Sequence, residues 1–140
     1  MSEELSSGQK TPTHILVVDD EEGVRALLDD YLSARGYKVK TVQNSEEALA
    51  LIDEVDFDLV LVDLVMPGID GYDLCDRLRN YHRTEDVPII VVSGRSDWEN
   101  DIRDAFDAGA NDYIIKTELD TLPEKIERCL LIARNNRAES

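Results

Sequence analysis

The chain has 140 residues, of which 31 are acidic and 15 basic, so its formal net charge is −16. This length fits one domain with a full core. The negative charge argues against direct binding to nucleic acid or to anionic membranes, because both reward basic surface. No stretch approaches about 18 consecutive apolar residues, and the acidic start is unlike a signal peptide, so we expect a cytoplasmic protein.

The cysteines and histidines offer no motif of their own. Cys75 and Cys129 lie far apart in helical patterns without Cys-x-x-Cys spacing, so we predict reduced thiols packed in the core. His14 precedes a strand and His82 ends a helix, and neither has a supporting motif. Structural or exposed roles are therefore predicted for both histidines, rather than phosphotransfer.

The first half of the chain begins with residues 1–13, which lack periodicity and are predicted to be a disordered lead-in. Apolar runs and helical spacing then define the elements. In order, these are a strand at 14–18 that ends at Asp19 and Asp20, a helix at 21–35 before Gly36, an edge strand at 37–42, and a second helix that Ser45 opens.

The second half continues the same alternation of strands and helices. For Trp98 and Phe106, packing of their helix is the first interpretation, and docking of a partner is the second. The elements are a strand at 57–62 ending at Asp63, a turn with Pro67 and Gly68, a helix from about Gly71, a strand at 89–92 ending at Ser93, a helix ending at Gly109, a strand at 111–115 ending at Lys116, and a helix at about 121–134. Residues 135–140 are expected to be a tail or the start of a linker.

Five strands alternating with five helices predict an α/β fold with a parallel sheet, because parallel strands need crossovers and apolar strands need cover on both faces. A single domain at 14–134 is expected. Ligands of such sheets bind outside the carboxyl ends of the strands, where the strand order reverses. In this chain those ends bring together Asp19, Asp20, Asp63, Ser93 and Lys116.

This set of residues points to phosphate chemistry. Three neighbouring carboxylates repel one another unless a cation neutralises them, and all-oxygen ligands favour Mg²⁺. Lys116 offers a positive charge and Ser93 a hydrogen bond to an anionic oxygen, which leaves Asp63 as a candidate nucleophile toward phosphorus. Ordinary roles stay open: Ser93 as a helix cap, Lys116 as an exposed cation, and the Asp19-Asp20 pair as turn residues.

Ordered motifs over residues 14–134 resemble the receiver domain of two-component response regulators. They are Val17-Val18-Asp19-Asp20-Glu21, Asp63-Leu64-Val65-Met66-Pro67-Gly68 with Gly71, Val92-Ser93-Gly94, Ala108-Gly109-Ala110-Asn111-Asp112-Tyr113 and Ile115-Lys116. The resemblance implies a doubly wound, flavodoxin-like sheet of order 2-1-3-4-5. It also implies a Mg²⁺ site formed by Asp20, Asp63 and the backbone carbonyl of Val65, with Asp19 acting through water.

The resemblance further implies that Asp63 accepts a phosphoryl group from a phosphohistidine on a histidine kinase or a phosphotransfer protein. Ser93 and Lys116 would bind its oxygens, and Ser93 and Tyr113 would switch the face formed by helix four, strand five and helix five toward a downstream protein. Such a domain is not an enzyme, although it assists its own phosphorylation and dephosphorylation. Val65 and Arg95 occupy positions where this family tunes the phosphoryl lifetime.

Thr117 departs from the family pattern, which usually has proline after the conserved lysine. A cis bond before threonine would cost about 3 kcal/mol or more, so we predict a trans Lys116–Thr117 bond and a reshaped loop before the last helix.

Three other interpretations remain. The chain could be part of a larger regulator with a DNA-binding or enzymatic output domain. It could be an interaction module that works without phosphorylation. It could also be a phosphatase of the haloacid dehalogenase type, but that family has a second Asp two residues after its nucleophile, where this chain has Val65.

Overall fold

The computed structural model of the chain describes residues 12–64, 70–94 and 99–139. The predictions made for Val65, Arg95, Trp98 and most of the lead-in fall outside these ranges. Within them, the chain alternates strands and helices from His14 to Glu139.

Five parallel strands form one sheet, as the apolar runs predict. They are β1 (His14–Val18), β2 (Lys38–Val42), β3 (Leu59–Asp63), β4 (Ile89–Ser93) and β5 (Asp112–Ile115). Their spatial order is β2-β1-β3-β4-β5, so the order predicted from the family resemblance is confirmed. The strand order reverses between β1 and β3, and their carboxyl ends meet at that point.

The helices are α1 (Glu22–Ser33), α2 (Ser45–Ile52), α3 (Gly71–Arg79), α4 (Glu99–Ala108) and α5 (Leu122–Glu139). Helix α2 begins at Ser45, as predicted, and Asn44 before it is the N-cap, because its side chain accepts a hydrogen bond from the Glu47 amide at 2.8 Å. Helix α5 continues past residue 134, its predicted end, since nothing in the polar sequence that follows breaks a helix.

Alternate residues of each central strand face two separate apolar layers, which is why these strands read as unbroken apolar runs. On one face Leu16 and Val60 pack among residues of α2, α3 and α4. On the other face Ile15 and Leu61 pack against α1 and α5. The sheet is therefore buried on both sides, and only its edges and the strand ends remain for a site.

The segment between β5 and α5 is a 3₁₀ helix, Lys116–Thr121, with non-helical backbone angles at Glu118. The Lys116–Thr117 bond is trans, as predicted from the absence of proline. Both cysteines are free and buried, and burial raises the pKa of Cys75 to about 12. Among the described helices, none is long and apolar enough to cross a membrane.

Candidate functional site

Asp63 is the last residue of β3 and is only 5% exposed. The chain after it is held close by α3, whose first amide, at Gly71, donates a hydrogen bond to the Leu64 carbonyl at 3.2 Å. A Cβ atom at Gly71 would lie 2.4 Å from the Asp63 carbonyl oxygen and 2.7 Å from the Leu64 Cα. Glycine at position 71 thus allows the backbone approach that places the Asp63 carboxylate.

Three carboxylates meet beside this strand end. Oxygen atoms of Asp19, Asp20 and Asp63 lie within 4.8 Å of one another, and Asp19 and Asp63 are buried whereas Asp20 is exposed. The Asp19 Oδ1 atom accepts a hydrogen bond from the Glu21 amide at 2.9 Å. Its Oδ2 atom is buried and makes no hydrogen bond in the described part of the chain, beyond an ion pair with Lys116. This oxygen-only set of neighbouring carboxylates fits a hard divalent cation.

Lys116 reaches the same carboxylates from the end of β5. Its Nζ atom lies 2.7 Å from Glu21 Oε1, 3.3 Å from Asp19 Oδ2 and 3.5 Å from Asp63 Oδ2. Burial acts to lower the pKa of Lys116, but the hydrogen bond to Glu21 and the charges of Asp63 and Asp19 outweigh it and raise the pKa. The lysine is therefore a fixed positive charge at neutral pH.

Ser93 ends β4, the strand next to β3, and is buried. It lies opposite Ile115, the residue before Lys116, in the ladder between β4 and β5. A Cβ atom at Gly94 would lie 3.7 Å from Cδ of Lys116, so the lysine side chain passes directly over the end of β4. The serine and the lysine are thus presented by adjacent strand ends.

Tyr113 lies earlier on β5 and is half-buried. Its ring meets the ring of Phe106, from α4, edge to face at 6.1 Å between centroids. The Nζ atom of Lys125, from α5, lies 4.9 Å from the same ring. The predicted core packing of Phe106 is only partly right, since its side chain is exposed apart from contacts such as this one.

Two side chains at the site could not be assigned a role from the sequence. Glu21 appears in the sequence only as the last residue of the Val17–Glu21 motif, yet in the structure it is the nearest partner of Lys116. Arg25 donates a hydrogen bond from Nη1 to the Asp19 backbone carbonyl at 2.8 Å. The position of Arg25, one helical turn after Glu21, was the available signal. His14 lies at the opposite end of β1, where burial lowers its pKa.

Comparisons with known proteins agree with this arrangement. The family model described as response regulator receiver domain matches residues 15–127. The chain is 41% identical over 108 residues to the transcriptional regulatory protein ResD of Bacillus subtilis, which covers 77% of this chain and 43% of that protein.

Two solved structures are similar. A CheY-like response regulator receiver domain protein from Methanospirillum hungatei superimposes with a TM-score of 0.81 at 29% identity, over 90% of this chain and 99% of that one. The response regulator TrrA from Thermotoga maritima, in complex with Mg²⁺ and BeF, gives a TM-score of 0.74 at 36% identity, over 84% of this chain and 98% of that one.

The fold and the site define an α/β domain with an acidic pocket and a lysine at the carboxyl edge of its sheet. The chain belongs to the family of response regulator receiver domains of two-component systems. Domains of this family are typically signalling domains rather than enzymes, and they bind Mg²⁺ at a cluster of aspartates. The chain spans 43% of the length of ResD.

Proposed function

We propose that this chain is a phospho-acceptor switch in which Asp63 takes a phosphoryl group from a phosphohistidine of a histidine kinase or a phosphotransfer protein. The observation that carries the proposal is the placement of a charged lysine within 3.5 Å of a nearly buried carboxylate that closes a strand. Family membership supports it. A carboxylate so placed is both oriented and accessible from one side only.

The aspartate cluster fits Mg²⁺, which Asp20 and Asp63 would hold directly and Asp19 would hold through water. The backbone carbonyl of Val65, which lies outside the described residues, would be a further ligand by the family resemblance. When bound, the ion offsets the negative charges of the carboxylates and of the incoming phosphoryl oxygens. TrrA, a similar protein, was solved with Mg²⁺ and BeF. The buried Asp19 carboxylate, within 4.8 Å of the Asp20 and Asp63 carboxylates, supports its part in the site.

In the transfer, a carboxylate oxygen of Asp63 forms a bond to phosphorus while the bond between phosphorus and the donor imidazole nitrogen breaks. The imidazole leaves with the electron pair, and no proton is needed on Asp63. Lys116 and Ser93 bind the phosphoryl oxygens by an ionic contact and a hydrogen bond. In dephosphorylation a water oxygen forms the bond to phosphorus and passes its proton to the released phosphate or to solvent, while the bond from phosphorus to Asp63 breaks and Asp63 leaves as a carboxylate.

The output surface is the face of α4, β5 and α5. Tyr113 connects its three parts, because the ring on β5 contacts Phe106 of α4 and Lys125 of α5. Movement of Ser93 toward the phosphoryl group would draw Tyr113 inward and change this face for a downstream protein. ResD is named a transcriptional regulatory protein, which supports transcription control, through a DNA-binding unit of a longer regulator, as one output.

The test is the mass of the intact protein after incubation with acetyl phosphate, with and without Mg²⁺. We expect a gain of one phosphoryl group that needs Mg²⁺, followed by slow loss. Borohydride reduction, which converts an aspartyl phosphate to homoserine, should place the group at residue 63. Asp63→Asn should abolish the gain, whereas the matched control Asp104→Asn, at an exposed position of α4, should leave it unchanged.

Absence of phosphorylation, together with no response to beryllofluoride, would contradict the proposal and favour an interaction module that works without phosphate. Steady turnover of p-nitrophenyl phosphate would favour the phosphatase interpretation instead.

A further inference from the structure

Glu21 makes an unexpected contact for its position. It is the N-cap residue of α1, but its side chain makes no capping hydrogen bond to the helix amides. Its carboxylate instead accepts a hydrogen bond from Nζ of Lys116 at 2.7 Å. The side chain is therefore directed toward the site rather than toward its own helix.

The backbone of Glu21 is held from two sides, so this contact is not made by a loose side chain. Its amide donates to the Asp19 carboxylate at 2.9 Å, and its carbonyl accepts from the Arg25 amide at 3.1 Å. The Arg25 guanidinium also holds the Asp19 carbonyl. The site and the first turn of α1 are thus one connected unit.

The distances rank the partners of Lys116. Its Nζ atom lies 2.7 Å from the Glu21 carboxylate, closer than the 3.3 Å to Asp19 and the 3.5 Å to Asp63. The Glu21 side chain is 60% exposed and that of Asp63 is 5% exposed, so the Lys116 ammonium group lies nearer to the solvent-exposed carboxylate than to the buried one. A phosphoryl group on Asp63 would need the same ammonium group.

We propose that Glu21 is a positioning residue that holds Lys116 Nζ on the solvent side of the site while Asp63 is unmodified, and so competes with the phosphoryl group for the lysine. The inference rests on the proposed phospho-acceptor function. Formation of the aspartyl phosphate breaks or lengthens the Glu21–Lys116 contact. The free energy lost with that contact contributes to the equilibrium between the inactive and active forms of the domain.

The experiment measures the affinity for beryllofluoride in saturating Mg²⁺ by ¹⁹F NMR titration. Glu21→Gln removes the ionic partner and should bind beryllofluoride about two- to fivefold more tightly than wild type, the range expected for a partly exposed ion pair. Glu21→Asp keeps the charge but is one methylene too short for the contact, and aspartate still suits an N-cap. We therefore expect it to behave like Glu21→Gln.

Glu22→Gln is the matched control for charge. Glu22 is the next residue, it is exposed, and no ion pair or hydrogen bond engages its side chain among the described residues. It should bind beryllofluoride as wild type does. Mg²⁺ affinity, measured separately, shows whether either substitution acts through the metal rather than through Lys116.

A spectroscopic readout separates positioning from a merely structural role. The ¹⁵Nζ resonance of Lys116 should shift when wild type binds beryllofluoride. In the free Glu21→Gln variant the resonance should already lie part of the way toward its position in the bound state.

Equal beryllofluoride affinity in Glu21→Gln and Glu22→Gln would overturn the inference, as would a Glu21→Asp variant indistinguishable from wild type. Wild type that binds no beryllofluoride at all would instead overturn the proposed function.

Discussion

At the scale of single residues, Gly71 is the position where the site depends most directly on the lack of a side chain. A Cβ atom there would overlap the backbone of Asp63 and Leu64, neither of which can move without shifting the end of β3. Gly71→Ala should therefore lower the free energy of unfolding by about 1–3 kcal/mol, as overpacking does. Urea unfolding followed by circular dichroism measures this loss.

Gly23 provides the matched control for Gly71. It lies in the first turn of α1, and nothing comes within 4 Å of a Cβ atom built there. Gly23→Ala should raise the free energy of unfolding by about 0.4–1 kcal/mol, because alanine reduces the freedom of the unfolded chain. Destabilisation of similar size in both variants would contradict the steric explanation for Gly71.

Asp19, Asp63 and Lys116 could be predicted from the sequence as neighbours, because the topology of a parallel sheet places its carboxyl strand ends at one edge. The partnership of Glu21 with Lys116 could not. It depends on the direction of one exposed side chain at the start of a helix, which sequence spacing does not specify. The ion pair between Asp19 Oδ2 and Lys116 likewise follows from side-chain placement.

At the scale of the elements, Arg79 joins the end of α3 to the loops that precede β4 and β5. Its guanidinium donates to the carbonyl oxygens of Gly109 at 2.9 Å and Val87 at 2.7 Å, and to the Asn111 side chain. Gly109 has a φ of 121°, and a Cβ atom there would lie 2.5 Å from Cγ of Arg79. Desolvation lowers the pKa of Arg79, so these acceptors compensate for a partly buried charge.

We therefore expect Arg79→Met to lower the free energy of unfolding by about 2–4 kcal/mol, since several carbonyl groups lose a charged donor. Arg77→Met, two residues earlier on α3, should cost less than about 1 kcal/mol. Arg77 is half exposed, and within the described part of the chain its side chain pairs only with Asp73, at 3.5 Å. Chemical unfolding of the two variants side by side would reject the role of Arg79 if their losses were equal.

Element types and order followed from hydrophobic period and from glycine positions, and their differences from the structure are local. Strand β3 begins at Leu59 rather than at residue 57, although the Asp58 amide before it already donates to the His14 carbonyl at 2.7 Å. The 3₁₀ form of Lys116–Thr121 could not be specified, since its polar residues carry no period. The absence of proline indicated only that the loop would differ.

At the scale of the whole molecule, negative charge dominates and is concentrated further at the site. The net charge is −16, and at the site three carboxylates contact the ammonium group of Lys116 while a fourth, that of Asp20, lies beside two of them. Such crowding raises the free energy of the folded state, because the unfolded chain can separate these charges. A cation bound only by the folded protein should relieve it.

Mg²⁺ should therefore raise the melting temperature. At about ten times the dissociation constant, binding to the folded state contributes about 1.4 kcal/mol, which corresponds to roughly 4 °C for a domain of this size. NaCl of equal ionic strength should give a smaller rise, since it only screens the charges.

Asp20→Asn should lose most of the Mg²⁺ effect. Its melting temperature without metal should nevertheless equal or exceed that of wild type, because one repelling charge is gone. Asp104→Asn, outside the cluster, should keep the full Mg²⁺ effect. Calorimetry that found the same Mg²⁺ shift in both variants would place the ion elsewhere on the acidic surface.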